Sequence, residues 1–452
     1  MTLSLDTTTR LLVGLGLVLA LSRGAGRVAG RLGQPPVLAE IAVGIALGPS
    51  LLGRLAPALH AQLFGPGTAA VFDGLAQIAV ALYAFEIGSH LTETPTGERR
   101  GRSPVLLALV SLTVPAAAGL ALAPRLHGRE ETAGPAAFTV FLVCALGVTA
   151  VPVLARILQD RAMEHTPVGR LSLAAAALGD GACWCLFAVA LWLSGGIDTV
   201  RLALGLAGVA AAAAVARWRS GHRDRPVRPR RERSTVETLG AVCLAAAVSS
   251  ALGLHALFGG LVLGLAWPAA PARDAAPGRA GGGSGAGTAA LSGALLPCFF
   301  LGAGQQVDLG PRLATGGFLG LVLLLLVVSL AAKALACAVT GRWYGLGMRD
   351  SVRLGVLMNT KGLTEIVVLT AGHRAGLVGQ TLFEALLVVA LVSTMAAGPV
   401  LAVLDARDAR DARRTHDDRR PGPYRQPQPQ PQPQPRNGEA AAAEPATAAG
   451  AG

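Results

Sequence analysis

Apolar runs of about 20 residues, the length a helix needs to cross a bilayer, recur from Leu11 to Leu404. Short loops rich in Arg, Gly and Pro separate them. The pattern predicts about thirteen spans, beginning with 11–27, 37–52, 69–91 and 104–123. Next come 136–158, 169–193, 199–215, 235–254 and a short 255–267, followed by 289–304, 316–341, 351–372 and 381–404. Two spans are interrupted at their centres. The fifth contains Gly147-Val-Thr149-Ala-Val-Pro152, and the twelfth contains Met358-Asn-Thr-Lys-Gly362. Proline removes a backbone donor and clashes with the preceding turn, so a break is expected at the first of these. A Pro/Gly/Ala-rich stretch over 268–288 is expected to be a flexible linker. Alternating Asp and Arg, a Pro-Gln repeat and an Ala-rich end follow Leu404, and they predict a disordered tail over 405–452.

The fold class expected is therefore an all-α polytopic membrane protein. Composition agrees: 52% of the 452 residues are hydrophobic and 15% charged. The formal net charge of +12 would suit nucleic-acid binding if the cations formed a patch, but they sit in loops between spans. With the N-terminus outside, 30 arginines fall inside and 7 outside, the asymmetry of the positive-inside rule. That places the C-terminus in the cytoplasm and predicts a multi-pass protein of the plasma membrane, with the bilayer and not nucleic acid as its partner. The six cysteines all lie in apolar segments and are expected to be small hydrophobes. No nucleophile–base set, zinc spacing or phosphate loop is present, so neither an enzyme nor a cofactor is expected.

Three ionisable residues then carry the chemistry. Asp180 lies near the middle of the sixth span, where a carboxylate costs roughly 2.5–3.5 kcal/mol. Either a neighbouring helix satisfies it, or it loads and unloads a proton or a cation. Of 39 basic residues only Lys333 and Lys361 are lysines, and both lie inside predicted spans. Lysine can release its proton on burial, whereas arginine effectively cannot; the bland alternative is a lysine that snorkels to an interface.

Spans four to six and eleven to thirteen share an outline: intact, interrupted, intact. The offset of seven makes the two groups enter the membrane from opposite sides, as inverted repeats do. Interrupted helices in corresponding positions point to a substrate site at the midplane, unless both merely kink. Thr149, Asn359 and Thr360 are the polar groups at the breaks, with Glu365 and Lys361 beside the second.

The order of motifs resembles the monovalent cation–proton antiporter-2 family. These motifs are Gly33-Gln-Pro-Pro-Val-Leu-Ala-Glu40 through Gly48-Pro49, Val148-Thr-Ala-Val-Pro-Val-Leu-Ala-Arg156, Phe299-Phe300 through Asp308, and Met358-Asn-Thr-Lys-Gly-Leu-Thr-Glu365. The last is most similar to the branch containing the plant cation/proton exchangers. The resemblance implies a homodimer with an interface part (about 11–91 and 235–304) and a mobile core (about 104–194 and 316–404). Residues 199–233 would form a linking helix and basic loop. It also implies two crossed, discontinuous helices beside the ion-binding acid. Asp180 matches the acid expected to exchange cation and proton, and Lys333 the basic residue of the eleventh span. The chain departs from the family at Gly179, where many members carry a first acid or Asn. It departs again at Gly88-Ser-His90 with Glu86 upstream, and at Lys361 in place of arginine.

The function expected is exchange of Na⁺ or K⁺ for H⁺ by alternating access, the two competing at Asp180. No resident metal is expected, the cation being cargo. Glu86, His90 and the Gln305-Gln306 pair motivate an alternative, a proton-coupled exporter of an organic or ion-complexed metabolite. A non-transporting membrane sensor is the third reading.

Overall fold

Several helices in this chain start at or next to a proline. Pro36, Pro57, Pro104, Pro135, Pro152 and Pro167 each occupy the first or second helical position, where a missing N–H is no loss. A computed structural model describes residues 6–93, 103–128, 133–163, 166–220, 234–252, 255–267, 284–312 and 315–418. The basic loop beyond Ser220, most of the 268–288 linker and the tail beyond Asp418 lie outside the described residues.

Helices are the regular structure of the described residues, which contain no strand. In order they form α1 (Thr7–Arg31), α2 (Pro36–Leu47), α3 (Leu52–Leu55), α4 (Pro57–Phe64), α5 (Pro66–Glu93) and α6 (Pro104–Leu126). Next come α7 (Pro135–Gly147), α8 (Val151–Asp160), α9 (Pro167–Leu193), α10 (Thr199–Ser220), α11 (Thr235–Ala251) and α12 (Ala256–Ala266). The last are α13 (Ser284–Gly304), α14 (Leu309–Arg312), α15 (Gly316–Trp343), α16 (Met348–Met358), α17 (Leu363–Arg374) and α18 (Gln380–Asp418). Among the described residues eight helices are long and apolar enough to cross a membrane, or nine when the bent pair α16–α17 is taken as one span. The other four predicted spans correspond to shorter apolar helices: α7 (with α8), α10, α11 and α12. The short helices α3 and α4 follow the second predicted span and precede the third.

The chain divides after Leu404. Within residues 1–404, small residues let backbones approach closely, the usual solution where lipid removes the hydrophobic drive between helices. A Cβ on Gly260 or Gly264 of α12 would collide with the carbonyl oxygens of Ala81 and Phe85 on α5. Gly44 of α2 and Gly304 of α13 meet in the same way. One apolar cluster joins α1, α2, α4, α5 and α13, through Val18, Leu47, Leu63, Phe72 and Leu301. Another joins α6, α8, α9, α15, α16 and α18, through Leu107, Leu154, Ala175, Cys337, Leu357 and Leu401. Large apolar side chains such as Leu323, Val327 and Leu335 remain exposed on α15, as expected of a lipid-facing helix.

Candidate functional site

Both expected breaks are present. Between α7 and α8, Val148 and Ala150 are extended. Pro152 lies in the first turn of the second half-helix, just past the break, where its missing N–H is no loss. Between α16 and α17 the helix stops from Asn359 to Gly362, and the two halves are bent by 41°. The breaks cross and bond to each other: the Ala150 amide donates to the Thr360 carbonyl at 3.0 Å, and Thr149 Oγ1 to the Met358 carbonyl at 2.9 Å. Gly362 is required by proximity, since a Cβ there would come within 2.7 Å of Val153. Thr394 of α18 anchors the second break, accepting from the Lys361 amide at 2.9 Å and donating to the Lys361 carbonyl.

The half-helix ends sort the charges. Carbonyls at the C-terminus of α7 carry partial negative charge, and both lysines donate to them. Lys333 reaches the Gly147 carbonyl and Thr149 Oγ1, each at 2.6 Å. Lys361 reaches the Ala145 carbonyl at 3.2 Å and Glu365 Oε1 at 2.8 Å. Lys333, Lys361 and Glu365 have no exposed surface, so neither lysine snorkels. Asp180 sits instead at the N-termini of the other two halves, where partial positive charge favours an anion. The backbone N–H of Val151, the first residue of α8, faces its carboxyl group. Thr364, in the first turn of α17, donates to Asp180 Oδ2 at 3.3 Å. Asp180 is fully buried, and its Oδ1 has no hydrogen-bond partner among the described residues.

The residues read from the sequence thus gather at one crossing, but in different relations from those expected. Thr149 is engaged by Lys333 and Met358, and Thr360 turns its hydroxyl back to the Leu357 carbonyl at 2.8 Å. Asn359 Nδ2 donates to the Gly355 carbonyl at 3.2 Å, while its Oδ1 is buried without a partner among the described residues. Among the described residues the side chain that hydrogen-bonds Asp180 is Thr364, which sequence reasoning passed over. Tyr83 of α5 was missed too; its Oη lies 3.5 Å from Thr364 Oγ1. The Thr-Glu pair after Lys361-Gly362 was the available signal for Thr364. Glu86 is half-buried one turn beyond Tyr83, and the side chain of His90 lies outside the described positions. A Cβ on Gly179 would meet no atom within 4 Å, so the position before Asp180 is open.

A cavity of about 510 Å³ lies near the ends of α13 and α17. Asp73, Gln305, Gln306 and Arg374 line it with Phe64 and Leu301, and Arg374 bonds Asp73 at 2.6 Å.

Comparison with known proteins agrees with the all-helical, membrane-spanning fold. The family described as sodium/hydrogen exchanger, transmembrane, matches residues 16–405. Cation/H(+) antiporter 18 of Arabidopsis thaliana is 31% identical over 401 residues, which is 85% of this chain and 48% of the plant protein. The Na(+)/H(+) antiporter NhaS4 of Synechocystis is 29% identical over 420 residues, 88% of this chain and 98% of that one. The sodium proton antiporter MjNhaP1 from Methanocaldococcus jannaschii is similar in fold, with a TM-score of 0.57 at 14% identity. That match covers 87% of this chain and 96% of the archaeal one. The chain spans about half the length of the plant relatives it matches. With a family of transporters, not enzymes, matched along nearly all of its membrane-spanning length, this multi-pass membrane protein belongs to the sodium/hydrogen exchanger family.

Proposed function

We propose that the chain is a secondary active antiporter that exchanges Na⁺ or K⁺ for H⁺, the two competing for the carboxylate of Asp180. One observation carries this reading: a wholly buried carboxyl group, one oxygen unpartnered among the described residues, at the crossing of two broken helices. Such an acid is costly in a bilayer unless it is used. Two half-helix N-termini face it, and a dehydrated cation is the natural occupant once the proton leaves.

In this reading Lys333 and Thr149 hold the first break open, and Asn359, Thr360 and the Lys361–Glu365 pair hold the second. Asn359 Oδ1 is the further oxygen available to an ion. The core, α6 to α9 and α15 to α18, rocks against an interface part, α1 to α5 and α11 to α13, so that Asp180 opens to one side at a time. The protein works as a homodimer in the plasma membrane, N-terminus outside and C-terminus in the cytoplasm. Gly179 leaves one titrating acid at this position, which favours one-for-one, electroneutral exchange.

The cavity of about 510 Å³ favours a second reading, a proton-coupled exporter of an organic or ion-complexed metabolite, because it exceeds what a bare ion needs. One experiment separates the two. Purified protein in liposomes carrying a quenched pH dye is challenged with Na⁺, K⁺ and Li⁺ in turn. Antiport predicts dequenching by at least one cation without any organic solute, and its loss in Asp180→Asn. Dequenching that needs an organic solute supports the second reading, and dequenching that survives Asp180→Asn removes the site.

A further inference from the structure

Tyr83 does not belong to the helices that carry the acid. It lies on α5, which packs along α12 and α13, whereas Asp180 and Thr364 lie on α9 and α17. Its side chain is buried, and its Oη reaches Thr364 Oγ1 at 3.5 Å; Thr364 in turn reaches Asp180 Oδ2 at 3.3 Å. A threonine hydroxyl has one proton, and here it is directed at the carboxylate. Tyr83 is then the donor of its own contact, giving a one-way chain from Tyr83 O–H to Thr364 O–H to Asp180. Among the described residues, Glu86 on α5 acts electrostatically on Tyr83 and Lys333 on α15 on Asp180.

Resting on the antiport reading, we propose that Tyr83 is a brake on the empty carrier. It ties α5 to the carboxylate-bearing helices while Asp180 is ionised and vacant, and releases them when a proton or a cation neutralises that charge. A hydrogen-bond chain that ends on an anion is charge-assisted, about twice as strong as a neutral one, and each link polarises the next. Both links are longer than an ideal O–H···O bond, so the charge at the end decides whether they hold. The step an antiporter has to suppress is the return of the ionised, vacant site. That return lets one ion flow without the other, and it carries a bare charge through the membrane. A clamp that is strong only in the vacant state slows that step and spares the loaded ones. Tyr83 is thus a positioning residue, acting through Thr364.

The test uses the purified full chain in liposomes with tracer sodium, or rubidium if K⁺ is the cargo, and with the membrane potential clamped. Tracer exchange with cation on both sides requires only loaded crossings. Tracer efflux into a cation-free, alkaline medium requires the vacant site to return. Tyr83→Phe keeps the ring and removes the hydroxyl. The expected result is exchange within about twofold of wild type and efflux raised about five- to tenfold. Thr364→Val breaks the same chain from its other end, and its ratio of efflux to exchange should rise likewise. If Tyr83→Phe scales both modes equally, or changes neither, the brake is refuted while the antiport reading stands. A wild type that exchanges no cation, or an Asp180→Asn variant that still does, overturns the antiport reading and the brake with it.

Discussion

Replacing Lys361 by methionine tests how the second break is held. Lys361 Nζ and Glu365 Oε1 are 2.8 Å apart, and neither side chain has exposed surface. Lys361 has a second acceptor in the Ala145 carbonyl, whereas Glu365 Oε2 has no partner among the described residues. Lys361→Met therefore strands a buried carboxylate, a loss of about 3–5 kcal/mol. Glu365→Leu leaves the ammonium one carbonyl and forfeits a charge-assisted bond, a loss of about 1.5–3 kcal/mol. Replacing both removes the pair and its desolvation cost together, so the double variant should lie within about 1 kcal/mol of wild type. The measurement is a denaturing-detergent titration of purified protein in mixed micelles, followed by tryptophan fluorescence, on wild type, both single variants and the double. The expected order is wild type close to the double variant, then Glu365→Leu, then Lys361→Met. A Lys361→Met loss under about 1 kcal/mol, or a double variant as unstable as the two singles summed, would refute the reasoning.

Three further perturbations follow from the same geometry. Gly264→Val places a side chain against the Phe85 carbonyl and should abolish a monodisperse purified protein, whereas Gly16→Val, with no atom within 4 Å of its Cβ, should purify normally. Gly179→Asp enters open space, so the protein should fold, but the added charge makes transport respond to voltage by about 2.3 kcal/mol per net charge per 100 mV. Equal rates with and without an imposed potential would contradict that. Arg374→Gln breaks a half-exposed ion pair with Asp73 and should cost under about 1 kcal/mol in the same detergent titration; a loss of several would show that the pair is more than a surface contact.

Much of this architecture was legible because lipid imposes length. The spans follow from apolar runs, and the two breaks from a proline and a glycine set among polar residues at mid-span. Proline marks the far edge of the first break: it stands in the first turn of α8, because a helix N-terminus tolerates the missing N–H that a helix interior does not. The identity of the buried acid and the two lysines was also legible, since charge inside a span is rare. Their partners were not. Lys333 was left without an assigned partner and bonds a backbone carbonyl and Thr149, because a main-chain acceptor freed by a break leaves no mark on the sequence. Thr364 and Tyr83 escaped notice for a related reason: a hydroxyl on an apolar helix is common, and only the crossing of α17, α9 and α5 aims these two at one carboxyl group. The helices α3 and α4 are too short to carry a periodic signal.

The central claim is that one carboxylate serves both ions. Its most direct test is the half-saturating concentration of the transported cation, measured by dequenching across a series of equal internal and external pH values. Competition at Asp180 predicts that, on the acid side of its titration, each pH unit of acidification raises that concentration about tenfold. The rate at saturating cation should hold its value until protonation limits it. A half-saturating concentration that stays constant while the maximal rate falls with acid would mean separate sites for proton and cation, and would contradict the account.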